Sequence, residues 1–279
     1  MRNVTVLEPM SKAAMLRQAV LQLLREHERD GALPTSNRFL FYELVQRGII
    51  SKHPTGKRRA DQDANEALTQ LRESGAVPWD WIVDETRSLD DRRGFRSIKD
   101  GALLLLDGIS LDPWQGHAPI VLTESRSLAG VLRSVCAEYG IMTAATNGQC
   151  GGFLHTVIAP SLYEFQRVLY FGDWDLAGNQ IETNTQSVLE RIVGSLFWER
   201  LALTTEQVEL YDLPKIIKHD RRYSDGYPHE AVETEALSQN LIVQLLRDRL
   251  DYLLPEPLAD VEERAVLERD QIKAVLSQN

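Results

Sequence analysis

Two cysteines, Cys136 and Cys150, are too few in 279 residues for a disulfide framework, and they lack a Cys-x-x-Cys spacing. The six histidines form no His-x-His or His-x-x-x-His group, so a zinc site of the usual patterns is not expected either. Long apolar runs are also missing. The longest strongly apolar stretch, Ala102 to Leu106, falls far below the roughly 20 residues that cross a bilayer. The opening MRNVTVLEPMSK has no apolar signal core. These absences together predict a reduced, cytoplasmic protein with no membrane partner. There is no internal repeat, low-complexity tract or GxxxxGK[ST] nucleotide loop, so this chain is not expected to drive an ATP-dependent step.

What is present is an ordinary globular composition, 43% hydrophobic and 26% charged, over a length that suggests about two domains. The net charge of −10 argues at first against a nucleic-acid partner, but it is unevenly spread. Residues 1–60 carry 11 Lys and Arg against 5 acids, a segment charge of +6, which leaves −16 on the remainder. Such asymmetry points to a DNA- or RNA-facing part joined to an acidic part.

Apolar periodicity predicts a helix over residues 11–29, a second from Asn37 to Arg47 behind the Pro34-Thr35-Ser36 break, and a third over 61–74 stopped by Gly75. Three short turn-linked helices with the basic tract Lys57-Arg58-Arg59 resemble a helix-turn-helix or winged-helix module, whose wing would come from Val77 to Val83. The expected division is a winged-helix-like domain at 1–85, a connector at 86–118 and an α/β domain at 119–279. In the last, strands at Ile120–Leu122, Ile141–Thr146 and Arg167–Phe171 alternate with helices, which predicts a parallel sheet. Long helices should occupy about 233–253 and 257 to the end.

Three acids fall just beyond strand ends, where open α/β sheets keep their chemistry: Glu124 after the first strand, Asp173 and Asp175 after the third. Carboxylates so placed can converge on one or two Mg²⁺ ions, which prefer oxygen ligands. Asp173 or Asp175 taken alone is better explained as a solvated loop acid or a helix N-cap; it is the two together, with Glu124 after another strand, that point to a metal. A haloacid-dehalogenase-type phosphatase also uses Asp-x-Asp after a strand, but usually on the first strand of the domain.

The pieces IVLTESRSL and LYFGDWDLAG, with Asp173 lying 49 residues beyond Glu124, resemble the Toprim pattern. The version is similar to that of the topoisomerase VI A subunit and the related meiotic double-strand-break protein, in which a winged-helix domain precedes Toprim. That resemblance implies Mg²⁺-dependent cleavage of double-stranded DNA by a homodimer, the tyrosine of one protomer working with the acids of the other, with a separate partner subunit where strand passage is driven by ATP. Its tyrosine lies in an Arg-x-x-aromatic-Tyr pattern, matched here by Arg38-Phe39-Leu40-Phe41-Tyr42. Arg38 and Tyr42 are one helical turn apart, and a guanidinium suits both a developing phenolate and a phosphate. The plain alternative is that Tyr42 is a half-buried aromatic. The resemblance extends to the nuclease subunit of Wadjet-type plasmid defence, where water replaces the tyrosine.

Lys52, Lys57, Arg58 and Arg59 are the expected DNA-backbone contacts. A second candidate group is Asp220, Arg221 and Glu233, in a segment that also holds His219, Arg222 and Glu235; solvated loop and helix N-terminal acids explain it equally well. Three readings therefore stand: tyrosine transesterification of DNA, hydrolytic Toprim nuclease, and a non-catalytic winged-helix DNA-binding protein.

Overall fold

The structure, a computed structural model, describes residues 11–52, 59, 61–83, 94–148, 151–218 and 227–277. The chain divides into two compact units, one of residues 1–84 with 235–240, the other of residues 85–234 with 241–279.

The first unit is built on helices α1 (Lys12–Arg29), α2 (Asn37–Gln46) and α3 (Gln62–Glu73). Ser11 and Ser36 cap the first two, each side-chain oxygen accepting from the backbone N–H three residues on, at 3.2 Å in both cases. Val20, Leu23 and Leu24 of α1 meet Leu40 and Leu44 of α2 and Leu68 and Leu71 of α3 in one core. A buried His27–Glu43 contact at 2.7 Å adds a polar tie between α1 and α2. Residues 77–83 form a 3₁₀ turn (Trp79–Trp81) and a single bridge from Ile82 to Thr35, not a strand pair. Val77 and Ile82 are drawn into the helical core instead, so this segment closes the bundle where a wing hairpin was expected.

The C-terminal piece of this unit was not anticipated. The Gln239 side-chain amide donates to the carbonyls of Ala32 (2.5 Å) and Pro34 (3.1 Å), while the Thr35 hydroxyl donates to the Gln239 oxygen. Gln46 donates to the carbonyl of Ala236 at 2.5 Å. Residues far along the chain thus satisfy the buried backbone of the loop between α1 and α2.

The second unit is α/β. Strands β1 (Ile120–Thr123), β2 (Met142–Ala145), β3 (Arg167–Phe171) and β4 (Phe197–Ala202) form one sheet, order β2-β1-β3-β4, with every neighbouring pair parallel. Val121, Leu122, Leu169 and Tyr170 are all fully buried. Successive residues point to opposite faces, so both faces of the central strands are covered, as parallel sheets require. Helix α5 (Arg126–Glu138) connects β1 to β2 and packs on both. Between β2 and β3 the expected helix is replaced by a short α6 (Gly151–Phe153) running into a π turn (Leu154–Ile158) and a 3₁₀ turn. Helix α7 (Leu176–Val193) follows β3, and its Val188 and Leu189 join Ile120, Leu122, Val168 and Tyr170 in the core of one face.

The stretch expected as a connector contains a helix, α4 (Ile98–Leu106), capped by Ser97. After β4 come α8 (Thr205–Leu210) and an antiparallel pair, β5 (Ile216–Lys218) with β6 (His229–Ala231). Helices α9 (Gln239–Leu253) and α10 (Leu258–Ser277) end the chain, and α10 packs on α4. No helix among the described residues is long and apolar enough to cross a membrane.

Burial separates positions whose sequences look alike. Leu122→Ala, at a fully buried site, is expected to lower unfolding stability by about 2–5 kcal/mol. Leu104→Ala, on α4 and 69% exposed, should shift it by no more than about 0.5 kcal/mol. Urea unfolding of the two variants measures the contrast.

Candidate active site

Each acid at the strand ends is held by a different local device. Glu124 follows β1, and its backbone N–H donates to the Phe171 carbonyl of β3 at 2.8 Å, extending the ladder past the last paired residue. Its side chain crosses to the neighbouring strand end, where Oε2 accepts the Asp173 backbone N–H at 3.1 Å. Asp173 Oδ1 accepts from both the backbone N–H (2.9 Å) and the hydroxyl (3.0 Å) of Thr234. Trp174 and Val232 exchange backbone hydrogen bonds at 2.9 and 3.0 Å, which clamps the 232–234 segment beside the Asp173 loop. Half-buried Glu233 lies on that segment.

Asp175 is the N-cap of α7: Oδ1 accepts the Gly178 N–H at 2.7 Å. Its other oxygen accepts from Lys218 Nζ at 2.7 Å, so both oxygens of this nearly buried carboxylate are already engaged. Gly178 is constrained by close approach. A Cβ there would stand 2.4 Å from the Asp173 carbonyl and 3.1 Å from Glu124 Oε2, so the first turn of α7 can lie over the two acids only without a side chain.

Arg200 of β4 fixes the loop. Its guanidinium donates to the carbonyls of Gly172 (2.9 Å), Asp173 (2.6 Å) and Leu203 (2.8 Å) and to Asn179 Oδ1 (3.1 Å), and it is also bonded to Glu182. Beneath it, Tyr170 is buried, its hydroxyl has no hydrogen-bond partner among the described residues, and burial with the nearby Glu124 charge holds its pKa well above the usual tyrosine range.

Burial, and then the negative charges of Asp173 and Asp175, raise the Glu124 pKa above its ordinary value; the Asp173 N–H and Arg200 only partly offset this. The result is a carboxylate pair, Glu124 and Asp173, rich in oxygen donors and short of positive charge. Among the described residues no three His, Cys, Asp or Glu side chains stand close enough together to hold a metal ion. A hard cation here would be carried by the two carboxylates and water, with Asp175 joining only on release from Lys218.

The tyrosine segment lies in the first unit. Tyr42 is on α2, 6% exposed, with Lys52 Nζ 4.5 Å from the centre of its ring and Phe41 edge-on at 5.4 Å. Arg38, one turn earlier, pairs through Nε with Oε1 of Glu235 at 3.1 Å, a carboxylate wholly out of solvent. Arg59 is exposed and pairs with Asp61 at 3.2 Å. Lys57, Arg58, Asp220 and Arg221, with His219, Arg222 and Cys150, lie outside the described residues. Cys136 is buried with its pKa pushed up to about 12, chiefly by desolvation, which leaves it an inert thiol.

Sequence reasoning did not single out Arg200, Thr234 or Lys218. Arg200 had no signal, because β4 reads FWERLA without an apolar run. Gly178 did have one, standing three residues after the Asp-x-Asp. Compared with protein-family models, with curated proteins and with solved structures, the chain matches none of them.

Two outcomes follow from these contacts. Glu124 binds its proton more tightly folded than unfolded, where its pKa is near 4.5. Its contribution to stability therefore falls as pH rises from that value through the raised folded one, and stays low above it. Glu124→Gln removes that loss, so the variant's advantage over wild type in urea midpoint, without divalent metal, should grow across this window and level off toward neutrality. Arg200→Gln strips the fork from two loop carbonyls and should cost on the order of 3 kcal/mol, read by thermal unfolding.

Proposed function

We propose that the chain is a divalent-metal-dependent enzyme that cleaves the DNA backbone, with a Toprim-type use of Glu124 and Asp173 and the three-helix N-terminal unit on the DNA. The observation that carries this reading is the Glu124–Asp173 pair at adjacent ends of a parallel sheet, where burial and like charge leave Glu124 in want of a cation. That donor set fits Mg²⁺, which is commonly bound through one or two carboxylates and otherwise keeps its waters. A bound Mg²⁺ would polarise the phosphoryl oxygen and stabilise the leaving oxygen.

The residues divide the remaining work. Arg200 and Gly178 hold the Asp173 loop in one conformation, and Thr234 orients the Asp173 carboxylate. Lys52 and Arg59 would hold backbone phosphates without reading sequence. Tyr42 is the proposed nucleophile: its oxygen bonds to phosphorus as its proton passes to water, the bond from phosphorus to the 3′ oxygen breaks, and that oxygen takes a proton from water, which gives a 5′-phosphotyrosyl link. Lys52 over the ring supplies positive charge where the phenol would become anionic, and Arg38, one turn away, would add to it on release from Glu235. A homodimer with the tyrosine of one protomer serving the acids of the other is the arrangement proposed for cutting both strands.

A second reading is favoured by one observation: Tyr42 is 6% exposed, as a structural aromatic would be. In that case water attacks and the product has free ends. Supercoiled plasmid incubated with the purified chain and Mg²⁺, then quenched with denaturant, distinguishes the two. The expected result is broken strands with protein attached at 5′ ends, adducts that disappear in Tyr42→Phe, and cleavage reduced by about a hundredfold or more in Asp173→Ala. Cleavage without adducts, indifferent to Tyr42→Phe, would establish hydrolysis. Intact plasmid with DNA binding retained would overturn both and leave a binding protein.

A further inference from the structure

A cleft of about 460 Å³ lies in the second unit between helix α5 and the β2 side of the sheet. Strand β2 is an edge: β1 pairs with one side of it, and no described strand pairs with the other. Arg126, Ala129 and Arg133 line the cleft from α5. At spacings of three and four they share one helix face, and the two arginines stand about 10 Å apart along its axis. Residues 143–147 line the opposite wall, and Phe153 stands at the rim with 37% of its surface exposed.

In a chain of net charge −10, the described residues lining this cleft include two arginines and no carboxylate. The cleft also shares its scaffold with the acid pair: the Asn147 N–H donates to the Glu124 carbonyl at 2.9 Å, and the Thr146 N–H donates to that of Thr123 at 2.8 Å. Paired guanidinium groups along a groove, with an exposed aromatic face, are what an unpaired nucleic-acid strand requires. The guanidiniums track the phosphates, and the ring stacks on a base regardless of its identity. A duplex turns its bases inward and would leave Phe153 nothing to stack on. A peptide strand added to β2 would make no use of the two positive charges unless it were acidic.

We infer that this cleft binds single-stranded DNA, with backbone phosphates on Arg126 and Arg133 and one base on Phe153, and that it leads an unpaired strand to or from Glu124. The site rests on the cleavage reading for its role but not for its ligand. Binding is therefore measured separately from cleavage, with the full chain in EDTA, by fluorescence anisotropy of a labelled oligothymidylate. The double substitution Arg126→Gln/Arg133→Gln should weaken binding by at least about tenfold and reduce the salt slope by roughly 1.4. Phe153→Ala should weaken it by about 5–100-fold, with Phe153→Trp restoring it. Arg126→Lys/Arg133→Lys, which keeps the charge, should retain most of the affinity and controls for folding, together with the thermal midpoint of each variant.

Affinity unchanged in both the arginine and phenylalanine variants would overturn the site, as would wild-type protein that binds duplex but not oligothymidylate. Binding that depends on the arginines, in a protein that cuts no plasmid, would uphold the cleft and sink the cleavage reading. Plasmid cleavage with arginine-independent binding would do the reverse.

Discussion

Two carboxylates at neighbouring strand ends repel each other, and the second unit is arranged to keep them together. The Arg200 guanidinium holds the backbone on which Asp173 sits, donating to the carbonyls immediately before and at that residue. It shares this task with Thr234, which bonds the Asp173 carboxylate, and with the Trp174–Val232 backbone pair. Around Arg200 the other features fall into place: a glycine where α7 crosses the acids, a cap at Asp175 that starts the helix, and a threonine that fixes the orientation of Asp173. The cost of the arrangement appears in Glu124, whose affinity for a proton rises through burial and then through the charges of Asp173 and Asp175, an effect that Arg200 offsets only in part.

Much of this layout can be read from the residues themselves, for a physical reason. Strands β1 and β3 are buried on both faces, so they appear as unbroken apolar runs, and an acid directly after such a run stands out. The three helices of the first unit announce themselves by apolar periodicity and by the serines and glycines at their ends. Helix α4 hides because two of its four leucines, Leu104 and Leu105, face solvent, which makes the helix look like a connector. Strand β4 hides because its inner positions carry Glu199 and Arg200, whose value lies in hydrogen bonds and not in hydrophobicity. The wing expected at 77–83 fails because Val77 and Ile82 can be buried more completely by the helices than by a two-stranded ribbon.

The partners of the key side chains were the least accessible to sequence reasoning. Nothing near Arg38 indicates that its carboxylate partner is Glu235, and nothing near Asp173 points to Thr234. Both contacts join segments that spacing rules do not connect. They also recast one motif: the Thr-Glu in 233–236, read as acids at a helix start, supplies a hydrogen-bond donor pair to one unit and a buried counter-ion to the other.

The discontinuous make-up of the first unit bears on how the protein is made. Helices α1 to α3 leave the ribosome first and can collapse on their shared apolar faces. The side chain that satisfies the Ala32 and Pro34 carbonyls belongs to Gln239, and the carboxylate that pairs with Arg38 belongs to Glu235. Both are synthesised only after all four strands of the sheet. The helical bundle must therefore wait, incompletely satisfied, while residues 85–234 of the second unit are translated. Its completion is a late event in biosynthesis, although its sequence comes first.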